Sequence, residues 1–188
     1  MNREQWLDVA VKELTPLLTF AKAPAFKPPL VSVGFPRGSR GGNGKTIGQC
    51  WSEKCSADKE RCHIFVHPEL VDSVRVLDVL LHELVHAAVG TECGHRGAFR
   101  KVAVAVGLEG KMTATVAGDD LKERLNRIVD SVGEYPHVKL SSSSATKKGS
   151  RLLKVECHSC GCIARMTRKW LEMLPPPTCG CGYQMEVA

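Results

Sequence analysis

Hydrophobic positions along the chain fall into blocks of different period. From about Arg3 to Phe20, Trp6, Val9, Ala10, Leu14, Leu17 and Leu18 recur at near-helical spacing, which predicts an amphipathic helix that Pro16 bends or ends. After the prolines at 24, 28 and 29, residues 30–35 alternate apolar and small side chains as a short strand does. The glycines of residues 37–45 forbid regular structure. Two more strands are predicted at 45–51 and 63–67, with a polar turn containing Cys55, Asp58 and Lys59 between them and Pro68 ending the second.

Helical periods take over from there. Val74, Leu77, Leu81, Leu84, Val85 and Ala88 repeat at three and four residues, between a cap at Asp72 or Ser73 and a stop at Gly90, and predict a largely buried helix. A second helix is expected to begin near His95, include Phe99, Val102, Ala103 and Val106, and close at Gly107. A third, carrying Leu121, Leu125, Ile128, Val129 and Val132, follows caps at Asp119 or Asp120 and ends at Gly133. Helix, then strands, then helices describe an α+β domain over residues 1–140. Residues 141–150, SSSSATKKGS, have almost nothing to bury and read as a flexible linker. Residues 151–188 are too few to build a sufficient core without a staple such as a metal.

Composition narrows the class. A hydrophobic fraction of 43% and a charged fraction of 24% exclude wholesale disorder. No apolar run reaches the roughly 18 residues of a membrane span, and Met1-Asn2-Arg3-Glu4 leads into a charged amphipathic stretch instead of a signal-peptide core. No membrane partner and a cytoplasmic location are therefore expected. The nine cysteines are odd in number, and five of them follow residue 156 at metal-ligand spacing. That favours thiolate ligands in a reducing compartment over disulfides. The net charge of +6 is uneven: residues 1–138 carry 18 Lys/Arg against 17 Asp/Glu, and residues 139–188 carry 8 against 3. A basic tail on a near-neutral body points to a polyanion such as nucleic acid, although the same charges can simply solvate a small module.

The main chemical signal is His82-Glu83-Leu84-Val85-His86, an H-E-x-x-H motif within the predicted buried helix. Four residues advance a helix by about 400°, so both imidazoles leave one face a turn apart and can share one zinc ion. Glu83 is displaced sideways by one position, which suits it to act as general base toward the attacking water and later to return the proton to the leaving amine. Zinc at such a site acidifies bound water toward a pKa of about 7 and polarises the scissile carbonyl. A catalytic zinc ordinarily takes three protein ligands, so one more is required beyond Gly90. His95 is the preferred third, because Gly90 and Gly94 bracket a short turn that can bring the chain back; Glu92 and Cys93 compete.

Cys157-His158-Ser159-Cys160 and Cys179-Gly180-Cys181-Gly182 form two chelating knuckles. Four thiolates in two close pairs suit a tetrahedral structural zinc whose binding energy replaces a missing core. The expected ligands are Cys157, Cys160, Cys179 and Cys181, with Cys162 able to replace Cys160. One catalytic and one structural zinc ion are thus expected. Arg165, Arg168, Lys169 and Trp170, near Arg151 and Lys154, fit either a phosphate-tracking surface with a stacking platform or a solvated face with Trp170 packed on the module. Gly44-Lys45-Thr46 lacks the glycine at position 39 that a phosphate loop requires, and nucleotide binding is rejected. Cys50, Cys55 and Cys62, with His63 and His67, lack paired knuckles and read as free buried thiols rather than a third metal site.

The run Leu81-His82-Glu83-Leu84-Val85-His86-Ala87-Ala88, followed by Gly94-His95-Arg96-Gly97-Ala98-Phe99, resembles the SprT-like and Spartan metallopeptidases, in which H-E-x-x-H precedes G-H-G and a phenylalanine on the next helix. Thr46-Ile47-Gly48 and the cysteine module share the likeness, which covers about residues 30–188. Arg96 stands where the family commonly has the second glycine, and the connection from His86 to His95 is shorter than in many members. The resemblance implies a small zincin-like core with a short β-sheet followed by a zinc ribbon, His82, His86 and His95 as zinc ligands, and Glu83 as catalytic acid/base. It further implies a protein substrate bound or crosslinked to DNA, a nucleoid-associated setting, and the strand near Ile47 to Trp51 as a cleft edge where substrate backbone adds. The contrasting expectation is a non-catalytic, nucleic-acid-binding zinc-ribbon adaptor with a structural or vestigial zincin site. Glu83 separates the two, since an adaptor needs the ligands but not the base.

Overall fold

Asn2 starts the first helix, α1 (Arg3–Phe20): its side chain accepts from the Gln5 amide while the Gln5 side chain accepts from the Asn2 amide, a reciprocal capping box. The helix runs through Pro16, where a bend or an end was expected. Pro16 and Lys12, whose carbonyl the missing N–H would have met, both lie on the exposed side. The opposite side buries Trp6, Leu7, Ala10, Val11, Leu14 and Leu18, and that burial outweighs one lost hydrogen bond.

The computed structural model describes residues 1–37, 46–140 and 152–188 and divides the chain into two compact units, Met1–Ser142 and Ser143–Ala188. The glycine-rich loop at 38–45 with Arg40, the linker at 141–150 and Arg151 lie outside the described residues. The chain is mixed α+β, with five α-helices and small sheets among the described residues. None of its described helices is long and apolar enough to cross a membrane.

In the first unit, β1 (Leu30–Val33), β2 (Gly48–Trp51) and β3 (His63–Val66) form a sheet of order β1-β3-β2, with β1 parallel and β2 antiparallel to β3. Each strand is shorter than its sequence pattern, and β2 lies at an edge. α2 (Ser73–Val89) is capped by Asp72, whose side chain accepts from the Arg75 amide at 2.7 Å, and ends at Gly90. Val76, Leu77, Leu80, Leu81, Leu84 and Val85 on it are fully buried. α3 (Ala98–Val106) begins three residues later than expected, because Gly94 (φ 53°) and Gly97 (φ 51°) turn the backbone left-handed and leave His95 in a turn.

A hairpin of β4 (Leu108–Lys111) and β5 (Ala114–Ala117) follows, with no counterpart in the hydrophobic pattern: only Leu108 and Thr115 in it are buried. α4 (Asp119–Val132) starts from Gly118 rather than from either aspartate; Asp119 and Asp120 occupy its first turn, where their charge suits the helix dipole. Trp6 Nε1 donates to the Gly133 carbonyl at 2.8 Å and closes α1 onto the end of α4.

The second unit pairs β6 (Leu152–Glu156) with β7 (Ile163–Thr167) and β8 (Glu186–Val187), in the order β7-β6-β8, and adds the short helix α5 (Arg168–Met173). Among its described residues the buried hydrophobic cluster comprises Val155, Cys157 and Met185.

Strand β2 approaches α2 so closely that a Cβ on Gly48 would stand 2.6 Å from both Glu83 Oε1 and Val79 Cγ1. Val79 is β-branched and buried on a helix that cannot retreat. Gly48→Ala is expected to cost about 1–3 kcal/mol, seen as a lower urea midpoint at unchanged slope; an unmoved midpoint would refute the close approach.

Candidate metal centre

Helix α2 projects His82 and His86 one turn apart, with ring centroids separated by 5.3 Å. His95 reaches them from the glycine turn: its Nε2 lies 3.1 Å from His82 Nε2 and 3.2 Å from His86 Nε2. Ligand atoms at about 2.0–2.1 Å from a tetrahedral zinc stand roughly 3.3 Å apart. The three imidazoles, with ligand atoms all within 4.8 Å of one another, therefore fit one face of such an ion. Phe99, fully buried, packs beneath all three rings at centroid distances of 4.9, 4.3 and 4.9 Å from His82, His86 and His95. The competing donors point elsewhere. Glu92 pairs with Lys54 Nζ at 2.5 Å, and the Cys93 thiol donates to the Gly90 and Gly94 carbonyls.

Burial sets the electrostatics. Desolvation, with neighbouring His86, His95 and Arg75 adding to it, pushes His82 down to about 3. Desolvation and His95 push His86 down to about 4, and burial lowers His95. All three rings are thus held as neutral imidazoles at neutral pH, the form in which nitrogen offers a lone pair to a metal. Beside them Glu83 is only 6% exposed, and burial pushes its carboxyl up to about 8 against the opposing donation of the Cys50 amide. Glu83 is not one of the converging ligands. It lines, with the histidines, a cleft of about 570 Å³ bounded by Gly48 to Cys50 on one side and by Thr113 to Thr115 on the other.

The hydrophobic pattern did not disclose two parts of this site. Thr115 of the unforeseen hairpin places Oγ1 2.8 Å from His82 Nδ1. Gly48 is the residue whose lack of a side chain admits Glu83 to the wall of β2. A glycine inside a predicted strand was the only sequence signal of that approach.

In the second unit the Sγ atoms of Cys157, Cys160, Cys179 and Cys181 converge within 4.8 Å of one another. Cys157 stands 3.5 Å from Cys181, Cys160 3.4 Å from Cys179, and Cys181 3.5 Å from Cys160. For Zn–S bonds of about 2.3 Å a tetrahedron has edges near 3.8 Å, so this set also fits one ion. Tight turns make both knuckles: the Gly161 amide donates to the Cys157 carbonyl and the Gly182 amide to the Cys179 carbonyl, each at 2.8 Å. Cys162 stays outside the set; the charge of Cys179 is the main influence raising its pKa. Trp170 is 47% exposed with Lys169 Nζ 5.4 Å from its ring centre, so it is not packed away in the module.

Cys50 and Cys62 are neighbouring thiols, both raised first by burial. Cys55 is exposed, contrary to the expectation of a buried thiol. His63 Nε2 contacts Ser56 Oγ at 3.2 Å, and His67 Nδ1 accepts from the Glu69 amide at 3.1 Å. Among the described residues only the histidine and thiol groups could each hold a metal ion.

Protons compete with zinc only below a ligand's pKa, so the depressed imidazoles delay the loss of affinity to lower pH. In Glu83→Gln, which removes the carboxyl from the titration, log affinity for Zn²⁺ at the histidines is expected to fall between pH 6 and 5 with a slope of about 1 or less. Chelator competition measures it. A slope near 3, as for three ordinary imidazoles, would contradict the desolvated trio.

The chain matches no protein-family model, no curated protein and no solved structure.

Proposed function

We propose that the chain is a zinc-dependent metalloendopeptidase of the SprT-like kind, acting on DNA-associated proteins, with a zincin-like catalytic core in Met1–Ser142 and a zinc ribbon in Ser143–Ala188. The observation that carries this reading is the placement of Glu83: a buried carboxyl, adjacent in sequence to one of three converging imidazoles, on the wall of the same cleft yet outside the ligand set. A purely structural zinc has four protein ligands and no use for such a group.

Zinc held by His82, His86 and His95 would acidify water and polarise a carbonyl. Glu83 takes the proton from the attacking water and passes it to the leaving amine. A dication on the neighbouring imidazoles opposes the burial that raises Glu83, and so favours the carboxylate needed for the first transfer. β2, an edge strand of the described sheet beside the cleft, is where an extended substrate segment would add as a further strand.

The second unit supports a recruiting role through its chemistry. Arg165, Arg168 and Lys169 accompany a half-exposed Trp170, the combination that tracks phosphates and stacks on bases. Four thiolates in a module with so small a core indicate a structural ion.

Glu83→Gln is expected to retain zinc at the histidines while cleavage falls by about 10²–10⁴-fold. The assay follows autocleavage and cleavage of casein, with and without a DNA oligonucleotide. Undiminished cleavage would refute the mechanism, and wild-type protein that binds zinc and DNA but cuts nothing would favour the adaptor. Deleting residues 141–188 should leave the first unit folded and abolish salt-dependent DNA binding. Equal affinity across salt in the truncated chain would remove the ribbon as recruiter.

A further inference from the structure

We propose that Thr115 is a positioning residue for His82, and that Arg75 and Asp78 clamp the β4–β5 hairpin so that it can serve as one. The inference rests on the reading of the three histidines as zinc ligands, and not on peptidase activity.

Thr115 is the buried position of β5, only 4% exposed, with its flanking residues in the strand more open. Its Oγ1 lies 2.8 Å from His82 Nδ1, while the other nitrogen of that ring faces His95 at 3.1 Å. A neutral imidazole carries one proton. When Nε2 supplies a lone pair to the metal, Nδ1 carries the proton and donates to the threonine oxygen. The hydroxyl accepts that bond and so holds the plane of the ring with Nε2 turned toward the metal. His86, the other ligand on the same helix, has a buried Nδ1 with no partner among the described residues, so this support is particular to His82.

A hydroxyl on a two-stranded hairpin can do this only if the hairpin is fixed. Arg75 and Asp78, on α2 before His82, supply the fixing. Arg75 Nη1 donates to the Thr115 carbonyl at 3.2 Å and pairs with the Asp78 carboxylate, which holds the guanidinium in place. Asp78 is buried at 4% exposure. The strand is thus tied to α2 at Thr115 itself, and the helix that carries His82 also places its hydrogen-bond partner.

The test uses the full chain, with the cysteine site as internal control. Thr115→Val keeps the shape and removes the hydroxyl; Thr115→Ser keeps the hydroxyl. Zinc affinity at the histidines, measured by chelator competition, should fall about 10–100-fold in the valine variant and stay within about threefold of wild type in the serine variant, with the cysteine site unchanged in both. Wild-type protein holding two zinc ions, with Thr115→Val binding as tightly at the histidines, overturns the inference alone. Wild-type protein holding zinc only at the cysteines overturns it together with the reading it rests on. Nitrogen-15 NMR of the zinc-loaded wild type decides the matter even if the valine variant misfolds. A hydrogen-bonded His82 Nδ1–H is the expected signal, and an Nδ1 that is unprotonated, or whose proton exchanges freely with water, overturns the inference.

Discussion

Helix α2 must bury His82, Glu83 and His86 among the most apolar residues of the chain, and the desolvation this imposes is the constraint on which the first unit depends. Ionised groups placed there would cost several kcal/mol each, so the imidazoles stay neutral and the carboxyl is held up toward about 8. The neighbours serve the same requirement. Cys50 offers its amide to Glu83, Thr115 its hydroxyl to His82, and Phe99 closes the floor beneath the rings. The result is a cluster of unprotonated nitrogens whose lone pairs could serve one metal ion.

The two units meet the problem of stability differently. Met1–Ser142 holds a continuous core in which Trp6, Leu14, Ile64, Leu77, Leu84 and Phe99 are almost wholly shielded from water. Polar groups can be buried there because the surrounding core supports the cost. The described residues of Ser143–Ala188 include three buried hydrophobic residues and four converging thiols. In a module of that size packing supplies little stability, and a metal ion held by the four thiols would supply what packing does not.

How much was legible follows from range. The helical period of α2 directs His82 and His86 to one face whatever surrounds them, and the close cysteine pairs dictate two knuckles. His95 was preferred over Glu92 and Cys93 on turn chemistry, and two left-handed glycines hold it in that turn rather than on the helix where it was expected. The hairpin of β4 and β5 is not legible in the sequence because burial of Leu108 and Thr115 leaves no alternating pattern. Pro16 signals a break by local propensity alone, but the buried face of α1 carries the helix past it.

By itself, the sequence determined which donors the protein owns and which of them must share a helical face, since both follow from residue type and backbone period. Tertiary structure decided which donors meet: His95 with α2, Thr115 with His82, Gly48 against Glu83, and one knuckle against the other. Those separations are set by how elements distant along the chain pack against each other. No spacing within a single segment encodes them.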